Sequence, residues 1–108
     1  MSQRFIICTN SAVGPAYGAN ATDRNKITSY FEAKKWDVWH WFEDVWLVVN
    51  PSDQAMQTNA LRDELQALFA PLQRHLLVIE IGNPAHYSGW GPKDGWPWMQ
   101  EKWGGTPQ

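Results

Sequence analysis

The densest apolar segment of the chain, residues 36–50 (WDVWHWFEDVWLVVN), alternates with a period of two. Trp36, Val38, His40 and Phe42 share one face of an extended chain, and Asp37, Trp39 and Trp41 share the other. After the acidic pair Glu43-Asp44 the alternation resumes over residues 45–50, now apolar on nearly both faces. The segment therefore predicts a β-hairpin that turns at the two acids. Upstream, residues 4–10 (RFIICTN) are a short run of β-formers and predict a buried first strand. Residues 11–21, broken by Gly14, Pro15 and Gly18, predict a loop whose glycine spacing is not that of a phosphate-binding turn.

Two stretches switch to the helical period. Thr22 is a candidate N-cap, with Asp23 in the first turn, where the helix dipole favours negative charge. A helix is expected from there to about Lys35, with Ile27, Tyr30 and Phe31 as its apolar stripe and Lys34 and Lys35 at its C-terminal end. Residues 51–57 are polar and open a second helix, for which Ser52 and Thr58 are rival caps. Leu61, Leu65, Leu68, Phe69 and Leu72 make a stripe wide enough to cover a sheet, and Pro71 ends the helix near Ala70. Residues 75–82 (HLLVIEIG) predict a fourth strand, apolar on both faces except at Glu80.

The order strand, helix, strand, strand, helix, strand predicts an α+β fold. It is that of a ferredoxin-like βαββαβ two-layer sandwich, with an antiparallel sheet and the first and third strands central. The domain would occupy residues 1–82, leaving a tryptophan-rich tail at 83–108. Two helices cover only one face of such a sheet. The other face carries Trp39 and Trp41 or Trp36 and Phe42, according to register, and needs a cover from the tail or a second subunit. In the tail, Asp94 or Gly95 starts a short helix through Trp98 to Trp103, with Pro97 in its first turn.

Composition narrows the partners. A chain of 108 residues is one domain with room for a core. Its net charge of −2 offers no bulk attraction to a phosphate backbone, so nucleic acid is a partner that charge does not support. Cys8 is the only cysteine, which rules out an internal disulfide and fits a reducing compartment. No stretch has the length of a membrane span, and the first residues lack the pattern of a signal peptide, so the expected location is the cytoplasm, with no membrane partner. In that setting Asn20-Ala21-Thr22 is a chance glycosylation match. Eight tryptophans are the compositional oddity, four in the hairpin and four in the last nineteen residues. The plain account is a tail packed on the sheet; the sharper one is a contact surface for a partner at Trp39, Trp41, Trp90, Trp96 and Trp98.

The element order, together with WDVWHWFEDVWLVV, LRDELQALFAPL and HLLVIEIG, resembles the SinR-like family. That family is a ferredoxin-like branch related to the small CRISPR-associated endoribonuclease-like subunit, and the resemblance spans residues 5–82 plus the tail. It implies a homodimer. In the CRISPR-associated relatives an aspartate ending the first strand is proposed to hold a divalent metal between subunits, and the matching position here is Asn10. An amide oxygen supplies no charge, which speaks against metal-dependent nuclease chemistry; Mg²⁺ or Mn²⁺ enters only if that chemistry survives. Arg4, Arg24 and Lys26 are the basic residues nearby that would hold a phosphate.

Other chemistry is sparse. His40 with Glu43, and His75 and His86 elsewhere, show no zinc spacing and no thiolate pair, so no metal site is assigned. His40, between Trp39 and Trp41, is the first candidate for a general acid or base, and Asn10, at the position of the relatives' aspartate, is the other candidate catalytic residue. Cys8 reads as a small buried apolar residue, and Ser88 lacks the Gly-x-Ser-x-Gly elbow of a nucleophile. The expectation is a non-catalytic homodimeric interaction module open to a protein partner, with a metal-dependent or toxin-like nuclease as the alternative. A nucleobase or small-ligand binder using Trp90, Trp96 or Trp98 as its stacking surface is a third.

Overall fold

The computed structural model describes residues 2–10, 20–71, 74–82, 86–90 and 93–107. Most of the expected loop at 11–21, and Leu72 of the second helical stripe, lie outside them. Four strands form one sheet: β1 (Gln3–Thr9), β2 (Asp37–Phe42), β3 (Val45–Asn50) and β4 (Leu76–Ile81). Their order is β2-β3-β1-β4 and every neighbouring pair is antiparallel, so β1 and β3 are central. Helices α1 (Ala21–Ala33) and α2 (Thr58–Ala67) cover one face. The architecture is α+β.

Alternation along the strands builds the core on that face. Phe5 and Ile7 of β1 and Trp46 and Val48 of β3 point to the helices, where they meet Ile27 and Phe31 of α1 and Leu61 and Leu65 of α2. Trp36, just before β2, stacks between Phe5 and Phe31 with ring centroids 5.8 and 5.7 Å away. Trp46 is fully buried and donates its indole N–H to Thr28 Oγ1 at 2.9 Å, so its one polar atom is satisfied.

Helix ends depart from the simplest sequence expectation. Asn20, not Thr22, caps α1: its side-chain oxygen accepts from the Asp23 N–H at 2.9 Å, and Asp23 Oδ2 accepts from the Asn20 N–H at 3.4 Å. The acid three residues after the cap, Asp23, closes this reciprocal box on Asn20, and Thr22 falls inside the helix as its second residue. The helix ends at Ala33 because Lys35 turns left-handed at φ 61°. Lys35 N–H then donates to the Glu32 carbonyl and Trp36 N–H to the Phe31 carbonyl, the paired bonds of a Schellman turn. Neither Ser52 nor Thr58 caps α2, whose N-cap is Gln57 with no side-chain bond. Ser52 is held elsewhere: its N–H and hydroxyl both donate to Oδ1 of the buried Asn50, at 3.0 and 2.8 Å.

The hairpin also carries a register shift. Pairing is regular from Asp37 to His40, then slips, so that Phe42 rather than Trp41 faces Val45. This bulge turns Phe42 away from the face of Val38 and His40, to which strict alternation assigns it, and onto the opposite face with Trp41.

The tail lies on that opposite face. It contains the two-residue strands β5 (His86–Tyr87) and β6 (Thr106–Pro107), paired in parallel, and between them α3 (Gly95–Trp98), which widens into a π-helical turn over Met99–Trp103. Met99 and Trp103 pack with Val49 into a second buried cluster, joined by Ile6, Leu47 and Ile81 of the sheet. Two glycines make this layer possible. A Cβ on Gly95 would lie 2.8 Å from the Trp41 ring, and Gly104 (φ 89°) passes so close to Arg4 that a Cβ there would sit 3.1 Å from Nη2. Arg4 in turn donates Nε–H to the Trp103 carbonyl. The sheet is thus the middle of three layers. Among the described residues no helix is long and apolar enough to cross a membrane.

Candidate functional site

Strand register sorts the tail-facing side of the sheet into three rows that run across all four strands. The first is Asp37, Val49, Arg4 and Ile81, the second Trp39, Leu47, Ile6 and Ile79, and the third Phe42, Val45, Cys8 and Leu77. The π-helical turn covers the first row: besides the Arg4 bond, Lys102 Nζ lies 3.7 Å from Asp37 Oδ1. The second row is covered at Trp39, Leu47 and Ile6 but leaves Ile79 39% exposed.

The third row is open. Phe42 is 58% and Leu77 56% exposed, and none of its four residues joins the tail-side cluster. It ends at β4, an edge strand that has one sheet partner among the described residues. Trp90, 95% exposed, stands beside it. Leu77 and Ile79 were legible only as members of the apolar run 75–82; its apolar residues become a surface feature because that strand falls at the edge.

The other tryptophans named as contact residues are brought together within the chain. Trp41 meets Trp96 edge-on with centroids 5.1 Å apart, Trp39 lies 6.4 Å from Trp98, and Trp96 stacks on Tyr87 at 6.4 Å. These contacts seal hairpin to tail. They leave two buried polar atoms, Trp39 Nε1 and the Tyr87 hydroxyl, without a hydrogen-bond partner among the described residues.

Polar groups gather at the C-terminal end of β1. Asn10 Nδ2 lies 2.8 Å from His75 Nδ1, a neighbour contributed from just before β4. On the other flank Asp44, at the hairpin tip, accepts the Thr9 hydroxyl and the Arg24 guanidinium through Oδ1, both at 3.1 Å, while its carbonyl accepts the Thr9 N–H. Deeper in, Arg74 forms a nearly buried ion pair with Asp23 at 3.1 Å, tying the start of α1 to the approach to β4. His75 was missed as the companion of Asn10 because 65 residues separate them and only the sheet order unites them.

His40 has different neighbours. Its Nε2 lies 2.6 Å from the Glu43 carbonyl and its ring stacks on Trp46, with centroids 4.3 Å apart and planes 4° from parallel. The two candidate catalytic residues are therefore held by separate contacts. Cys8 lies in the open row, and burial pushes its thiol above its ordinary pKa, so it rests protonated and weakly nucleophilic. Among the described residues no three His, Cys, Asp or Glu side chains are grouped to hold a metal ion; the side chain of His86 lies outside them. Comparison of the chain with family models, curated proteins and solved structures finds no match.

Proposed function

We propose that this chain is a ferredoxin-like, cytoplasmic interaction module of the SinR-like kind, non-catalytic, that works as a homodimer. The open third row carries the reading. Phe42, Val45, Cys8 and Leu77 form an apolar stripe across the sheet to the edge of β4, which is unpaired among the described residues, with Ile79 alongside. A stripe of this kind marks an interaction site, and a free edge is a template for further pairing. Two copies related by a twofold axis satisfy both at once, since antiparallel β4 edges would pair their backbones and bring the Leu77 and Ile79 side chains of both chains together.

The strand order and the placement of two helices on one face support the ferredoxin-like assignment. The non-catalytic reading draws support from the separate engagement of Asn10 and His40 and from the missing carboxylate at position 10. The test is solution mass by light scattering. The parent chain is expected at twice the chain mass and Leu77→Asp at one chain mass with an unchanged circular dichroism spectrum. A parent chain that stays at one chain mass over the accessible concentration range would refute the dimer.

One observation favours a second reading: Asn10, His75, Asp44 and Arg24 converge on the end of β1, where the CRISPR-associated relatives resembled by this sequence are proposed to act. Hydrolysis of labelled RNA or DNA with Mg²⁺ or Mn²⁺, abolished by His75→Ala or Asn10→Ala, would replace the interaction module with a nuclease.

A further inference from the structure

Between the sheet and the tail lies a cleft of about 270 Å³. Its walls are aromatic, formed by Trp41, Phe42, Tyr87 and Trp90, and Ile6, Leu47 and Met99 are among the aliphatic residues that line it. We propose that this cleft binds a small uncharged ring compound that carries one hydrogen-bond acceptor.

Three independent features point to a ligand of that class. Among the described residues none that lines the cleft bears a charge, so a phosphate, carboxylate or ammonium group would be desolvated there without a partner from them. The volume of about 270 Å³ lies just below the range of about 300–1,000 Å³ typical of small-molecule sites, which suits one or two fused rings and excludes a nucleotide. The Tyr87 hydroxyl is buried with no hydrogen-bond partner among the described residues, and Tyr87 is itself a wall of the cleft. A donor left in that state is satisfied by an acceptor brought in with the ligand.

The hairpin bulge belongs to the same design. A regular strand would send Trp41 and Phe42 to opposite faces; the register slip between His40 and Phe42 puts both on the cleft side. Bulges recur where a side chain must be re-aimed beside a site. Trp90, almost wholly exposed yet lining the rim, is placed to close over a bound ring, with stacking as its gain.

Quinoline and naphthalene make the test, since they share a shape and differ in one ring nitrogen that accepts a hydrogen bond. Quinoline is the better hydrated of the two, so binding it at least as tightly as naphthalene requires a donor in the site. In titration calorimetry the parent chain is expected to do so, Tyr87→Phe to weaken quinoline about tenfold while leaving naphthalene unchanged, and Val45→Trp to abolish both by filling the cleft. Circular dichroism on each variant establishes that it is folded, and Tyr87→Phe, which removes a single oxygen, carries the test if Val45→Trp does not fold. Equal quinoline binding by the parent chain and Tyr87→Phe overturns the proposal, as does naphthalene-2-sulfonate binding as tightly as quinoline, or no heat with quinoline up to its solubility. The cleft shares Phe42 and Val45 with the open row but does not include Leu77, so Leu77→Asp is expected to keep quinoline binding, and its loss there would assign the probe to a subunit junction and overturn a site within one chain.

Discussion

Tyr30 packs against the helix-side core and donates its hydroxyl to Glu64 Oε1 at 2.5 Å. Burial raises its pKa first, followed by the hydrogen bond to Glu64 and the negative charge of that carboxylate, all of which favour the neutral phenol. A group whose folded pKa is raised contributes stability that is fully present below its unfolded pKa, about 10, and is lost as the pH rises through the folded value. Urea midpoints are therefore expected to fall as the pH rises above about 10, and Tyr30→Phe to shrink that fall. Identical slopes in the two proteins would show that Tyr30 does not carry the alkaline sensitivity. Asn50 shows another residue-scale effect: fully buried, it donates to Gln3 Oε1 and the Gln54 carbonyl and accepts from Ser52. Such a satisfied polar residue recruits Ser52 into a turn and so removes it from the choice of helix caps.

At the scale of elements, the Schellman turn after α1 is built on a lysine where glycine is the usual choice. A left-handed conformation costs a side chain about 1–2 kcal/mol, and glycine returns part of that gain through its freer unfolded state. Lys35→Gly is expected to stabilise the protein by about 0.5–1 kcal/mol, read as a higher urea midpoint at unchanged m-value. A lower midpoint would mean that the Lys35 side chain contributes more than its backbone costs. The same elements show what the sequence could and could not reveal. Alternation over 36–50 and 4–10, and the leucine stripe from Leu61, were enough for the strands, the helices and their order, because burial imposes the period directly. The cap at Asn20, the bulge after His40 and the widened turn at Met99–Trp103 were not legible, because each depends on which backbone hydrogen bond wins locally. For the candidate site, the alternation showed that a second apolar face existed. It did not show that the tail would cover two rows and leave Phe42, Val45, Cys8 and Leu77 open, nor that Asn10 would meet His75, since both follow from tertiary placement.

For the whole molecule, the tail acts as a third layer. It buries Val49, Met99 and Trp103 together, packs on Leu47 and Ile81, and is pinned by the Arg4 bond to the Trp103 carbonyl and the Lys102–Asp37 ion pair. The ion pair is half exposed and adds little by itself, so apolar burial holds the layer in place. Removing residues 83–108 would uncover Trp39, Trp41, Leu47 and Val49 next to the row that is already open, merging them into one apolar face that extends over most of the sheet. A chain ending at Gly82 is thus expected to form large, heterogeneous assemblies in light scattering and to enhance the fluorescence of anilinonaphthalene sulfonate, whereas the full chain forms a defined species. The contrast separates two roles of the same face, because Leu77→Asp acts only on the open row and should change the mass without exposing the covered ones. If the truncated chain kept the mass and urea midpoint of the full chain, the tryptophans of the tail would be dispensable for the sheet, and their contacts with Trp39 and Trp41 would have to serve something other than the fold.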